Sequence, residues 1–95
     1  MMRELAEIRQ ELDEIDRQMV ALYERRMMLS REVAQVKLAM GKPVLDASRE
    51  EAVLKSRAKM LENPDFADAT RALYREIMAQ SRCEQEKLLR EAHHA

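Results

Sequence analysis

The sequence predicts an all-α protein, and three observations lead to that class. The first 40 residues, up to Gly41, contain neither glycine nor proline. Their apolar residues follow a three-four spacing, which is the period of a helical stripe. The whole chain of 95 residues has one glycine and two prolines, too few turn residues for a sheet protein. We therefore expect one small helical domain spanning residues 1–95.

Helix 1 is expected from about residue 3 to residue 40, where Gly41 and Pro43 form a stop signal. Its apolar seam has one polar interruption, Arg26, and comprises Leu5, Ile8, Leu12, Ile15, Met19, Leu22, Leu29, Val33, Val36 and Met40. Such a helix is roughly 55 Å long, whereas a compact chain of this length has a radius of gyration of about 12 Å. One protomer cannot cover the seam, so we expect a homodimer with the long helices packed together.

Two shorter helices should follow the first. Helix 2 is expected at about residues 47–62, and both Asp46 and Ser48 are suitable N-cap residues. Pro64 interrupts the chain, and Asp65 can cap helix 3, which is expected at about residues 65–92. The expected inward faces comprise Ala47, Leu54, Ala58 and Leu61 on helix 2, and Phe66, Ala69, Leu73, Ile77, Ser81, Gln85 and Leu89 on helix 3.

Charge, cysteine content and missing motifs exclude several functional classes. With 17 basic and 18 acidic residues, the net charge of -1 gives no global field for nucleic acid or an anionic membrane. Cys83 is the only cysteine, and the N-terminus has no apolar run, so we expect a cytoplasmic protein without disulfide, signal peptide or membrane span. The sequence has no nucleophile-base set, metal-ligand cluster or glycine-rich phosphate loop. An enzyme of this kind would work by positioning and electrostatics.

Eight polar residues form a candidate site: Arg9, Arg26, Lys37, Asp46, Arg49, Glu50, Ser81 and Gln85. Arg26 and Lys37 are eleven residues apart, so they share a helix face at a separation of about 16 Å. Arg9 is about 25 Å before Arg26, but in an antiparallel dimer it would lie beside the middle of the other protomer's helix 1. The set suits a small dianion that carries a hydroxyl, because guanidinium groups bind carboxylates and carboxylates accept from hydroxyls.

Each of these residues also has a purely structural interpretation. A glutamate from a partner helix could neutralise Arg26. The other charged residues could be solvated at the surface, and Lys37 would stabilise the end of its helix without any ligand. The two polar residues of helix 3 could simply be exposed. A non-catalytic helical dimerisation module is therefore an alternative of a different class.

The order of the polar residues resembles the all-helical (AroQ) class of chorismate mutase. The resemblance covers residues 5 to 89 and rests on Arg9, Glu24-Arg25-Arg26, Lys37, the segment Pro43 to Glu50, and Ser81-x-x-x-Gln85. It implies an intertwined homodimer of three-helix protomers with two equivalent sites. It also implies the rearrangement of chorismate to prephenate, on the route to phenylalanine and tyrosine, with no cofactor or metal.

The resemblance further implies a role for each residue. Arg26 would bind one substrate carboxylate, and Arg9 of the other protomer would bind the second. Lys37 and Gln85 would both donate to the ether oxygen, and Lys37 would also touch a carboxylate. Asp46 and Glu50 would hold the ring hydroxyl, while Arg49 and Ser81 would complete the carboxylate-binding wall. Isochorismate-pyruvate lyase, an enzyme on the same fold, is the closest alternative, although its members resemble this chain less around residues 46–50.

Overall fold

The computed structural model describes residues 2–94, which form three α-helices and one turn of 3-10 helix, with no strand in that range. The helices are α1 (Leu5–Met40), α2 (Ala47–Lys59) and α3 (Ala67–His94), and the 3-10 turn spans Pro64–Phe66. The prediction of an all-α fold is confirmed.

Helix α1 runs for 36 residues, beginning two residues after the expected start and ending at the expected position. Glu4 precedes it in extended conformation and makes no side-chain cap. At the other end, Gly41 has a φ of 67°, a left-handed conformation that glycine adopts at little cost. The N–H of Lys42 then donates to the carbonyl of Lys37 over 2.8 Å, which closes the helix. This sharp end returns the chain toward α1 and places the start of α2 near Lys37.

Helix α2 begins after Asp46, which is its N-cap; the second candidate, Ser48, lies within the first turn. The helix ends at Lys59, three residues before the expected end. Asn63 is extended, as a residue before proline prefers, and its side chain accepts from the N–H of Asp65 over 2.9 Å. Asn63, rather than Asp65, therefore caps the turn that leads into α3.

Helix α3 starts at Ala67 and continues to His94, so it begins and ends two residues later than expected. The 3-10 turn occupies the first residues assigned to this helix from the sequence. Since Pro64 fixes its own φ and lacks an N–H, a short 3-10 turn forms before the regular α-helical ladder begins.

The packed core of the protomer is small and lies on α3, which contacts both α1 and α2. Among the described residues, the buried apolar side chains are Ala34, Val53 and Met78. Val53 was not in the expected stripe of α2, whereas Phe66 and Leu73, expected to face inward, are 59% and 49% exposed. The buried residues of α3 are Met78, Ser81 and Gln85, and the last two were expected to face inward. Near its start, α3 is therefore rotated away from the expected inward face.

The apolar seam of α1 remains uncovered in the protomer. Its ten apolar residues are between 39% and 59% exposed. The protomer measures 59 × 28 × 14 Å, with a radius of gyration of 17.1 Å, against about 12 Å for a compact chain of this length. Among residues 2–94, no helix combines the length and apolarity needed to cross a membrane. The described chain is a thin, elongated layer that exposes its longest apolar stripe.

Candidate active site

A cleft of about 380 Å³ opens between the three helices, a size typical of small-molecule sites. Seven of the eight predicted polar residues line it: Arg26, Lys37, Asp46, Arg49, Glu50, Ser81 and Gln85. Arg9 does not line this cleft and is exposed on the N-terminal half of α1. The chain thus brings together seven of the predicted residues and leaves the eighth apart.

The cleft is strongly cationic, although the whole chain has a net charge of -1. Two further arginines, Arg57 and Arg82, line it together with the predicted cations. Five cationic and two anionic side chains give the walls a net charge of +3. A localised positive field of this kind favours a small ligand with two negative charges.

The α1 wall supplies two cations. The half-buried Arg26 places its guanidinium 5.9 Å from the centre of the Tyr74 ring, a cation-π arrangement, and pairs with no carboxylate within residues 2–94. Lys37 donates from Nζ to the carbonyl of Val44 over 2.5 Å. This contact holds the ammonium against the loop before α2 and leaves further N–H donors for a ligand.

The α2 wall presents carboxylates at the start of the helix. The backbone N–H of Arg49, the hydroxyl of Ser48 and the nearby Lys37 and Lys42 lower the pKa of Asp46 from its usual value. Asp46 is therefore ionised at neutral pH and can only accept hydrogen bonds. Glu50 stands one turn further along the same wall.

A buried polar network forms the wall between α1 and α3. Ser30, Ser81 and Gln85 are 6%, 8% and 7% exposed. Gln85 donates from Nε2 to Ser30 Oγ over 2.9 Å, and the hydroxyls of Ser30 and Ser81 hydrogen-bond to each other. Because an amide nitrogen carries two hydrogens, Gln85 keeps a second donor for a ligand. Its Oε1 is buried without a partner among the described residues, an arrangement that favours function over stability.

Three polar residues of the cleft were not predicted as site residues: Ser30, Arg57 and Arg82. Helical spacing contained a signal for each of them. Ser30 follows Arg26 by one turn, Arg57 follows Glu50 by two turns, and Arg82 precedes Gln85 by three residues, almost one turn. Periodicity alone does not say which of the many polar residues at such spacings meet across helices.

The arrangement can bind a dianion and stabilise an oxygen that gains negative charge, because it concentrates N–H donors and cations in a cleft. Cys83 is exposed and does not line the cleft. Across residues 2–94, no group of three or more histidine, cysteine or acidic side chains is arranged to hold a metal ion.

The fold and the cleft together define a small all-helical domain with a site for an anionic ligand. The chain belongs to the chorismate mutase type II family, which it matches over residues 8–86. A chorismate mutase from Methanocaldococcus jannaschii is 42% identical over 50 residues, which is 53% of this chain and 50% of that protein. The match spans about half the length of that curated relative. The family resemblance inferred from the sequence is confirmed.

Proposed function

We propose that the protein is a chorismate mutase, an isomerase that converts chorismate to prephenate. The observation that carries the proposal is the convergence of seven polar residues, in the order typical of the family, on one cationic cleft. The curated relative that shares 42% identity is named a chorismate mutase. Chorismate is a small dianion with a ring hydroxyl, which is the ligand chemistry that the cleft favours.

The rearrangement is unimolecular and needs no acid, base or nucleophile. The site has to hold the reactive conformer and stabilise the negative charge that grows on the ether oxygen as its bond to carbon breaks. Lys37 of α1 and Gln85 of α3 both line the cleft and would donate to that oxygen. Ser30 keeps the Gln85 amide in place through its hydrogen bond.

The remaining residues would bind and orient the substrate. Arg26 would bind one carboxylate, since its guanidinium carries no ion pair within residues 2–94. Asp46 and Glu50 would hold the ring hydroxyl. Arg49 and Ser81 would complete the wall that binds the carboxylates. Their placement around one cleft supports these roles.

A second protomer would complete each site. The seam of α1 is too exposed and too long for one chain to cover, and an exposed apolar stripe of this kind is typical of an interface. We infer an intertwined homodimer in which the long helices pack antiparallel. The partner's Arg9 would then reach the cleft and bind the second carboxylate, giving two equivalent sites by symmetry.

We further propose a place in the biosynthesis of phenylalanine and tyrosine, in the cytoplasm. Family membership supports the biosynthetic role. The sequence supports the compartment, because its single cysteine allows no internal disulfide, as is usual in a reducing compartment.

Product analysis with two substrates tests the proposed function. Purified protein is incubated with chorismate and, separately, with isochorismate, and the products are separated by chromatography. We expect prephenate from chorismate, and a loss of about two orders of magnitude in rate for Lys37→Ala. Salicylate and pyruvate from isochorismate as the main products would instead establish the lyase. No product from either substrate, together with an Arg26→Ala variant that melts no lower, would establish a non-catalytic module.

A further inference from the structure

An ion pair inside the cleft joins α2 to α3 and involves a residue outside the eight predicted positions. Nη1 of Arg82 lies 2.5 Å from both carboxylate oxygens of Glu50. The two side chains are 32% and 25% exposed, so both are partly shielded from water. The pair therefore fixes the Glu50 carboxylate at the wall where the proposed substrate would bind.

Most ion pairs within residues 2–94 do not join two helices across the cleft. Within residues 2–94, five of the seven ion pairs join residues of one helix or its flanking turn. Two pairs link different helices, Arg31 with Glu84 and Arg82 with Glu50. The first of these lies outside the cleft, whereas both members of the second line it. Interhelical packing alone does not require the second pair to face the ligand site.

The charge of Glu50 creates a difficulty that Arg82 resolves. A bare carboxylate in the cleft would repel the two carboxylates of the substrate. The guanidinium of Arg82 offsets that charge and restricts the carboxylate to one orientation. Each carboxylate oxygen has two acceptor positions, so Glu50 can still accept a hydrogen bond from a substrate hydroxyl.

We propose that Arg82 is a positioning residue that holds the Glu50 carboxylate toward the ring hydroxyl of the substrate. The proposal deepens the proposed mutase function and rests on it. Arg82 acts through Glu50 and does not itself contact the substrate. Its contribution therefore depends on the carboxylate being present.

A double-mutant cycle tests this dependence. The variants are Arg82→Leu, Glu50→Gln and the double variant, each assayed for kcat and KM with chorismate. We expect Arg82→Leu to lower kcat/KM about tenfold, mainly by raising KM, because it releases a hydrogen-bonded charge. In the Glu50→Gln background the same change should have little further effect. Arg82→Lys, which keeps the charge without the planar fork, should lose less and serves if the leucine variant does not fold.

Arg31→Leu is the matched control, because it breaks the other interhelical pair outside the cleft. It should keep the wild-type kcat/KM even if its melting temperature falls. Wild-type kcat/KM in Arg82→Leu and Arg82→Lys would overturn the proposal, as would equal losses in Arg31→Leu. Additive losses in the cycle would also overturn it, since they would mean that Arg82 contacts the substrate directly. Absence of activity in the wild type would instead contradict the proposed function itself.

Discussion

At the scale of single residues, the Gln85 amide is the proposed donor to the ether oxygen, and the fold holds it in place. Its Nε2 is held by Ser30, which is itself tied to Ser81, and all three side chains are buried. A donor fixed before the substrate arrives needs no reorganisation during the reaction. The orientation of Gln85 is therefore a property of two helices, α1 and α3, and not of Gln85 alone.

Replacing Ser30 tests this orientation. We expect Ser30→Ala to lower kcat about tenfold with little change in KM, because the amide loses one hydrogen bond while the carboxylate-binding residues remain. Steady-state kinetics with chorismate would measure both constants. Gln80→Ala is a suitable control, since Gln80 of α3 donates to the Glu76 carboxylate and neither residue lines the cleft. A Ser30→Ala enzyme with unchanged kcat would contradict the positioning role.

The sequence predicted Arg26, Lys37 and Gln85 at the cleft, yet it did not predict Ser30 or Arg82. Helical periodicity assigns a residue to one face of its helix, and the faces that carry Arg26, Lys37 and Gln85 line the cleft. Contacts such as Arg82 to Glu50 join residues 32 positions apart. They depend on the relative rotation of two helices, which no local pattern specifies.

At the scale of elements, the start of α2 links local capping to the site. The Asp46 side chain accepts from Arg49 N over 3.1 Å and from Ser48 Oγ over 2.9 Å, so one carboxylate both caps the helix and lines the cleft. The sequence left Asp46 and Ser48 as equal candidates for the N-cap. In the structure Asp46 is the N-cap, and Lys37 and Lys42, on either side of the turn at Gly41, add their charge beside it.

The cap predicts a specific response to pH. Because folding lowers the pKa of Asp46, its contribution to stability is complete above its ordinary pKa and is lost as pH falls through the lowered value. Asp46→Ala should therefore melt below the wild type at neutral pH, and the difference should shrink at strongly acid pH. Thermal unfolding followed by circular dichroism across that range measures it. Ser48→Ala, which keeps the backbone contact, should show a smaller difference; a pH-independent difference for Asp46→Ala would contradict the assignment.

Helix boundaries were predictable to within three residues, and the deviations have local causes. The early end of α2 and the late start of α3 both arise around Asn63 and Pro64, where an extended residue and a 3-10 turn replace regular helix. Sequence signals identified the interruption there. Those signals did not specify how many residues between α2 and α3 would leave the regular α-helical conformation.

At the scale of the whole molecule, the single chain has little core of its own. Its buried apolar residues within the described range are Ala34, Val53 and Met78, while the α1 seam stays exposed. The all-α class followed from the sequence, and the proposal of a partner chain also arose there, because helix length and seam periodicity are local properties. The inward face of α3 was predicted only in part. Ser81 and Gln85 are buried as expected, whereas Phe66 and Leu73 continue an apolar pattern without being covered by this chain.

Subunit complementation tests the central claim, that each site is shared between two chains. Arg9→Ala and Lys37→Ala proteins, each expected to be nearly inactive alone, are mixed under conditions that allow subunit exchange, and prephenate formation is measured. Random pairing makes half of the dimers mixed, each with one intact site, so we expect about a quarter of wild-type activity. Arg26→Ala mixed with Lys37→Ala is the control and should stay inactive, since both residues line the same protomer's cleft. No activity from the first mixture, after exchange is verified by mass spectrometry, would contradict a shared site.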